Sequence, residues 1–269
     1  MAYLNVDGDR RIYYEHYAGD ARAIVLIHGW GASTRCWDTT LPALLAAGHE
    51  VVALDVRAAG KSDNDFADVT IDATASDVIA LIEATGLDRP VINGWSAGGG
   101  IAGEVAIRLG DRSSGLVLTC GASPRYTQGP DWPHGGTLAD IEGTVAGIRA
   151  DRAAGFRGVA GAVCAADSDV SPDAVDWMWH QFMELGVRGD DLLLSLAEID
   201  QRDGLRALPV PALIFGGRQD LFVPFDATKA TADLIPDARF VETPGGHAPF
   251  LEVPDLYRDE LLAFLAKVV

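Results

Sequence analysis

Cysteine is scarce in this chain. Only Cys36, Cys120 and Cys164 occur among 269 residues, far apart and with no C-x-x-C pair. Such usage argues against a disulfide framework or a thiolate zinc site and fits a reducing cytoplasm. Positive charge is scarce too: 21 Lys plus Arg stand against 39 Asp plus Glu, for a formal net charge of −18. Nucleic acid and anionic membrane surfaces both demand a basic footprint, so neither is expected as a partner. The surplus acid reads as a solvated surface. No window reaches the roughly 18 uninterrupted apolar residues of a membrane helix. The opening "MAYLNVDGDR" lacks the basic start and apolar run of a secretory signal. What the chain has in plenty is apolar mass, 48% of residues, and glycine, 30 in all. The first suffices for a large core.

Short apolar runs alternate with helical patterns. "AIVLIHG" (23–29), "EVVALDV" (50–56), "PVINGW" (90–95), "GLVLTCG" (115–121), "PALIFGG" (211–217) and "ARFVET" (238–243) read as strands, most of them buried on both faces as in a parallel sheet. "IYYEHYAG" (12–19) alternates and reads as an antiparallel start. Between them, "TIDATASDVIALIEATG" puts Ala75, Val78, Ile79 and Ile82 on one face and stops at Gly86. "IAGEVAIRLG" does the same with Ile101, Val105 and Leu109. Strand–helix alternation predicts a mostly parallel, doubly wound α/β sheet. From Pro124 to Leu208 the rhythm breaks and only helix patterns occur. An insertion of that length is no bare loop. It predicts a helical cap (124–208), inserted after the sixth strand, over a core formed by 1–123 and 209–269.

"GWSAGG" stands where a strand gives way to a helix. It matches G-x-S-x-G through Gly94, Ser96 and Gly98. In that context the serine occupies a strained turn and its hydroxyl is aimed at the carboxyl end of the sheet, where open α/β sheets bind ligands. The bland alternative is a glycine-rich strand–helix connection. Gly98, Gly100 and Gly103 also spell G-x-G-x-x-G, but this is not the first strand–helix turn and no acid closes the next strand, so a dinucleotide site is disfavoured.

A serine nucleophile needs a base, and the base an orienting acid. "GGRQDLFVP" offers Asp220 just after a strand, and "GGHAPF" offers His247 in a loop after the last strand. Ser96, Asp220, His247 is the order this architecture demands. Asp131 is an alternative acid. For the oxyanion, the backbone N–H of Trp30 in "HGWGAS" and that of Ala97 are the candidate donors; His28 reads as a brace for that loop. Trp30, Trp95, Leu221 and Phe222, with the cap aromatics Trp177, Trp179 and Phe182, are candidate substrate contacts. Each cap aromatic could equally be plain core.

Taken in order, "HGWGAS", "GWSAGG", "GGRQDLFVP" and "GGHAPF" resemble the α/β-hydrolase superfamily over essentially the whole chain. The resemblance implies a hydrolase with a helical cap, no cofactor and no metal, acting through an acyl-enzyme on a small ester or lactone. Stretches such as "SPRYTQGPDWPHG" are similar to the pimeloyl-carrier-protein methyl ester esterases; lactonases and cofactor-free haloperoxidases or perhydrolases are similar too. Two departures stand out. In "DVRAAGKS" Ala58 occupies the place of the family's first glycine, which points to a different path for that loop. The cap carries seven Arg, no Lys and fourteen Asp plus Glu, which disfavours an acidic carrier protein as partner despite the local cluster Arg149, Arg152 and Arg157. Alternatives on the same triad are perhydrolysis and C–C bond hydrolysis. An alternative of another class is a non-hydrolytic binding or cyclase-like protein on the same fold.

Overall fold

The computed structural model describes residues 1–268. Its eight strands are β1 (Ala2–Asp7), β2 (Arg10–Tyr17), β3 (Ala21–Ile27), β4 (His49–Leu54), β5 (Val91–Trp95), β6 (Gly115–Thr119), β7 (Ala212–Gly217) and β8 (Ala238–Thr243). They form one sheet in the order β1-β2-β4-β3-β5-β6-β7-β8. Only the β1/β2 and β2/β4 pairs are antiparallel. The fold is thus the mostly parallel α/β sheet that the run of apolar strands predicts. The helices of the framework are α1 (Leu41–Ala46), α2 (Ile71–Thr85) and α3 (Ala97–Leu109), all before β6. Between β6 and β7 lie α4 (Leu138–Ala150), α5 (Arg152–Val163), α6 (Pro172–Met183), α7 (Asp190–Ser195) and α8 (Arg202–Arg206). The chain closes with α9 (Phe225–Leu234), α10 (Pro249–Glu252) and α11 (Pro254–Leu265). Among the described residues no helix is long and apolar enough to cross a membrane.

Alternation along the central strands distributes the helices over both faces. On β5, the Asn93 side chain reaches Tyr257 of α11, whose hydroxyl accepts from Asn93 Nδ2 at 3.0 Å, while the next residue, Gly94, lies against α3. On β7, Phe215 meets the Tyr257 ring and Gly216 lies against Thr228 of α9. Asn93, Thr119 and Tyr257 are buried, and each is hydrogen-bonded to the other two, so the core carries no polar debt there. Burial raises the Tyr257 phenol far above its ordinary value and keeps it neutral.

The loop after β4 answers the question raised by Ala58. Its φ of 58° lies in the left-handed region that favours glycine. The turn is closed by Asp55, whose carboxylate accepts the Thr34 N–H at 2.6 Å and the Lys61 N–H at 2.8 Å. These bonds hold the turn with a left-handed alanine at Ala58.

Backbone contact, not side-chain packing, fixes the junction of β5 and α3. A methyl group on Gly94 would lie 2.0 Å from the Gly98 carbonyl oxygen, and one on Gly98 2.4 Å from the carbonyl oxygens of Ile27 and His28. Gly143, exposed in the middle of α4, has nothing within 4 Å of such a methyl. Two alanine substitutions should therefore act in opposite directions. In urea titrations Gly98→Ala is expected to lose about 3 kcal/mol, because rigid backbone cannot give way. Gly143→Ala is expected to gain up to about 1 kcal/mol through helix propensity.

Candidate functional site

The parallel strands end together along one edge of the sheet, and the loops leaving that edge carry the candidate residues. Ser96 caps α3 at φ 54°, ψ −123°, a conformation that costs a non-glycine residue of order 1–3 kcal/mol. Its N–H donates to Thr119 O, and its carbonyl accepts from Gly99 and Ala122, so the strained turn is tied to its neighbours on three sides. The loop after β3 crosses directly over it. A methyl on Gly29 would lie 3.0 Å from Ser96 Cβ. Among the described residues the Trp30 and Ala97 N–H groups donate to no acceptor, and Ser96 Oγ makes no hydrogen bond.

His28 holds that loop in place. Its Nδ1 donates to Gly29 O at 2.7 Å, and its Nε2 accepts the Val56 N–H at 3.0 Å. Complete burial lowers its pKa, outweighing the nearby Asp55 charge, so the ring stays neutral. It acts as a bracket between the loops after β3 and β4.

Asp220 and His247 meet. His247 Nδ1 lies 2.8 Å from Asp220 Oδ2, and both side chains are buried. The other carboxylate oxygen of Asp220 accepts the N–H groups of Phe222 and Val223. With Asp220 ionised, Nδ1 donates and Nε2 is left as the acceptor. The imidazole is flanked by the Trp95 ring at 5.6 Å and the Phe222 ring at 5.0 Å. Its backbone is held as firmly: His247 N–H donates to Val163 O on α5, and Trp95 Nε1 donates to His247 O. Asp131 is exposed, and Arg202 binds its backbone carbonyl; it takes no part in this pair.

Two side chains that sequence reasoning left without a role join the dyad. Cys120 Sγ lies within 4.8 Å of ligand atoms of both Asp220 and His247. Burial, reinforced by the Asp220 charge, drives the thiol's pKa well up. It stays protonated, which makes it a poor metal ligand. Glu252 accepts the N–H groups of Gly246 and Ala165 on Oε1 and that of Ala248 on Oε2. It thereby ties both neighbours of His247 to the end of α5. Glu252 lies two residues beyond the stretch "GGHAPF", and no motif marks it.

Ser96 and His247 open into one cavity of about 430 Å³ between the sheet edge and helices α4 to α7. That volume suits a small ligand. Trp30, Trp95, Phe182, Leu221 and Phe222 line it as expected. Trp177 and Trp179 do not. The inward face of α6 is set by Met178 and Phe182, one turn apart, and the two tryptophans flank it. Trp179 donates from Nε1 to Ala153 O and lies under the Arg157 guanidinium, 3.9 Å from its centroid; Trp177 packs half-buried against the core. Tyr126, Thr137, Asp140 and Thr144 supply polar wall that the sequence did not single out.

Neutral His28 generates a pH prediction. Its folded pKa lies below the unfolded value of about 6.5. Its stabilising contribution is therefore complete above that pH and is lost as pH falls toward the folded pKa. His28→Gln should be less stable than wild type by about 1–3 kcal/mol near pH 8, from the buried hydrogen bonds it perturbs. The gap should narrow toward pH 5 in urea titrations; a gap independent of pH contradicts a buried neutral ring.

Comparison with known proteins agrees with the fold. The sequence profile of the family described as alpha/beta hydrolase fold matches residues 22–254. The chain is 30% identical over 246 residues to the AB hydrolase superfamily protein YisY of Bacillus subtilis, covering 87% of this chain and 88% of the relative. It is 30% identical to a non-heme chloroperoxidase of Streptomyces lividans, covering 96% and 97%. An esterase from Exiguobacterium antarcticum superposes with a TM-score of 0.93 at 25% identity, covering 98% of this chain and 99% of that one.

Proposed function

The chain belongs to the alpha/beta hydrolase fold family, and from that premise we propose that it hydrolyses carboxylic esters or lactones of small apolar substrates through a covalent acyl-enzyme. Ser96 is the nucleophile, His247 the base and Asp220 the acid that orients it. The observation that carries this reading is the 2.8 Å contact of Asp220 with His247, which leaves Nε2 free on the cavity that the strained Ser96 also lines.

In this scheme His247 Nε2 takes the hydroxyl proton as Ser96 Oγ attacks the carbonyl carbon. The negative charge that develops on the carbonyl oxygen is received by the Trp30 and Ala97 N–H groups, which have no competing acceptor. His247 then gives its proton to the departing alkoxide. Water repeats the sequence on the acyl-enzyme and returns the free serine. The scheme needs neither metal nor cofactor. We take the substrate to be free in solution, not presented by an acidic carrier protein. In support, the cap arginines are occupied: Arg149 with Asp190, Arg157 with Asp176 and Trp179, and Arg152 with Leu185 O and the Phe156 ring.

A second reading, perhydrolysis by the same triad, is favoured by the relative named as a non-heme chloroperoxidase. There, hydrogen peroxide replaces water in the second half-reaction and a peracid leaves.

The test is hydrolysis of p-nitrophenyl esters from acetate to decanoate, together with simple lactones, by wild type and Ser96→Ala. Wild type should turn over, and the variant should lose several orders of magnitude in kcat/KM. A wild type as silent as the variant overturns the ester reading. Parallel assays with acetate, hydrogen peroxide and bromide separate the perhydrolase reading, which requires Ser96-dependent bromide oxidation.

A further inference from the structure

On the wall of the cavity that Ser96 also lines, one polar side chain stands out. Tyr126 lines the cavity, is half-buried, and its hydroxyl makes no hydrogen bond among the described residues. Burial first, then the charges of Asp220 and Asp140, push the phenol up to about 12. At working pH it is a neutral phenol whose O–H has no protein acceptor among the described residues and is open to an acceptor on a ligand in the cavity.

Its position is rigid. Arg125 Nε donates to Thr127 O at 2.8 Å, and Arg125 pairs with Asp200 at 3.1 Å. Gln128 N–H donates to Gly136 O at 2.9 Å, bridging the loop back on itself. Gly135, at φ 87°, passes so close that a methyl would meet Tyr126 O at 2.2 Å. The same loop runs into α4, where Thr137 and Asp140 form a reciprocal cap: Thr137 N–H and Oγ1 both donate to Asp140 Oδ2 at 2.7 Å. The other oxygen, Oδ1, makes no hydrogen bond among the described residues, and the carboxylate lies at the exposed rim of the cavity. No Lys or Arg lines the cavity to offset that charge.

We propose that Tyr126 selects esters bearing an uncharged acceptor oxygen, such as an ether or ketone, remote from the scissile carbonyl, and that Asp140 turns carboxylate-bearing esters away. This assignment rests on the ester reading of the same site. A hydrogen bond from a preorganised neutral donor to a neutral acceptor gives about threefold to tenfold discrimination. An apolar wall alone gives none, because it favours the methylene over the ether oxygen.

The experiment compares methyl hexanoate, its isosteres with an ether oxygen in place of each remote methylene in turn, and monomethyl glutarate. Each kcat/KM is divided by the ester's rate of alkaline hydrolysis. For wild type, at least one ether should exceed hexanoate by about threefold or more, and the glutarate monoester should fall about tenfold or more below it. Tyr126→Phe should bring the ether-to-hexanoate ratio down to one or less. Asp140→Asn should raise the glutarate-to-hexanoate ratio several-fold, and added salt should raise it in wild type. An ether ratio unmoved by Tyr126→Phe, or a glutarate monoester cleaved as readily as hexanoate, overturns the proposal. Should no ester be turned over, the ester reading fails separately. Calorimetric binding of the matching N-methyl amides to Ser96→Ala then decides the selectivity: ether preferred and carboxylate rejected supports it, equal binding overturns it.

Discussion

The site depends on one constraint: the backbone of Ser96 must sit at positive φ where three other backbone segments nearly touch. Gly98 lies against the carbonyls that end β3, Gly94 against Gly98 itself, and Gly99 against Gly121 beyond β6. Side chains at any of these positions would force the segments apart. Hydrogen bonds from Ala122 and Gly99 to the Ser96 carbonyl then hold the strained turn. The strain, of order 1–3 kcal/mol, is stored in a part of the molecule that cannot relax without separating β3, β5 and β6. The free N–H groups of Trp30 and Ala97 come from the same contact, since the loop after β3 is drawn over the serine by the closeness that the glycines permit.

A second set of contacts links the histidine to the helices between β6 and β7. Val163 O takes the His247 N–H, and Glu252 binds the N–H groups of Gly246, Ala248 and Ala165 together. Further in, Trp30 Nε1 donates to Gly189 O, and Ser33 Oγ donates to Gln181. The helical segment is therefore joined at both sides of the cavity, once to the loop carrying His247 and once to the loop carrying Trp30. A displacement of α5 large enough to admit a bulky substrate would pull on His247 directly. Geometry of this kind couples the size of the ligand to the alignment of the reacting groups.

Much of this was legible in the sequence, and the boundary is physical. Short apolar runs gave six of the strands, most of which are buried on both faces and so need continuous apolar residues. β1 escaped: its Tyr3, Asn5 and Asp7 face solvent at the sheet edge, and half of such a strand looks like loop. Ser96, Asp220 and His247 could be named because each sits in a turn whose chemistry is local, and the sheet brings the latter two together. Tyr126, Asp140 and Glu252 could not. Asp140 reads locally only as the partner of Thr137 in a helix cap, no motif marks Tyr126 as cavity wall, and Glu252 acts on Ala165, 87 residues away. Trp177 and Trp179 show the converse error: composition suggested pocket, but one residue of helical phase turned the aromatic faces elsewhere.

The charge balance carries the same lesson into selectivity. A net charge of −18 says only that the surface is acidic. What matters to a ligand is which carboxylates are compensated where it enters. Asp220 is held by His247 and two N–H groups, Asp190 by Arg149, and Asp200 by Arg125 and Arg202, which draw its pKa down to about 2. Asp140 alone faces the cavity with only its own helix cap to stabilise it, and that cap lowers its pKa. Its carboxylate is ionised at working pH, lies on the cavity wall, and pairs with no Lys or Arg among the described residues. Framework and chemistry are set by backbone contacts that glycine makes feasible. Under the proposed selectivity, the choice of substrate would fall instead to Tyr126 and Asp140 on the cavity wall.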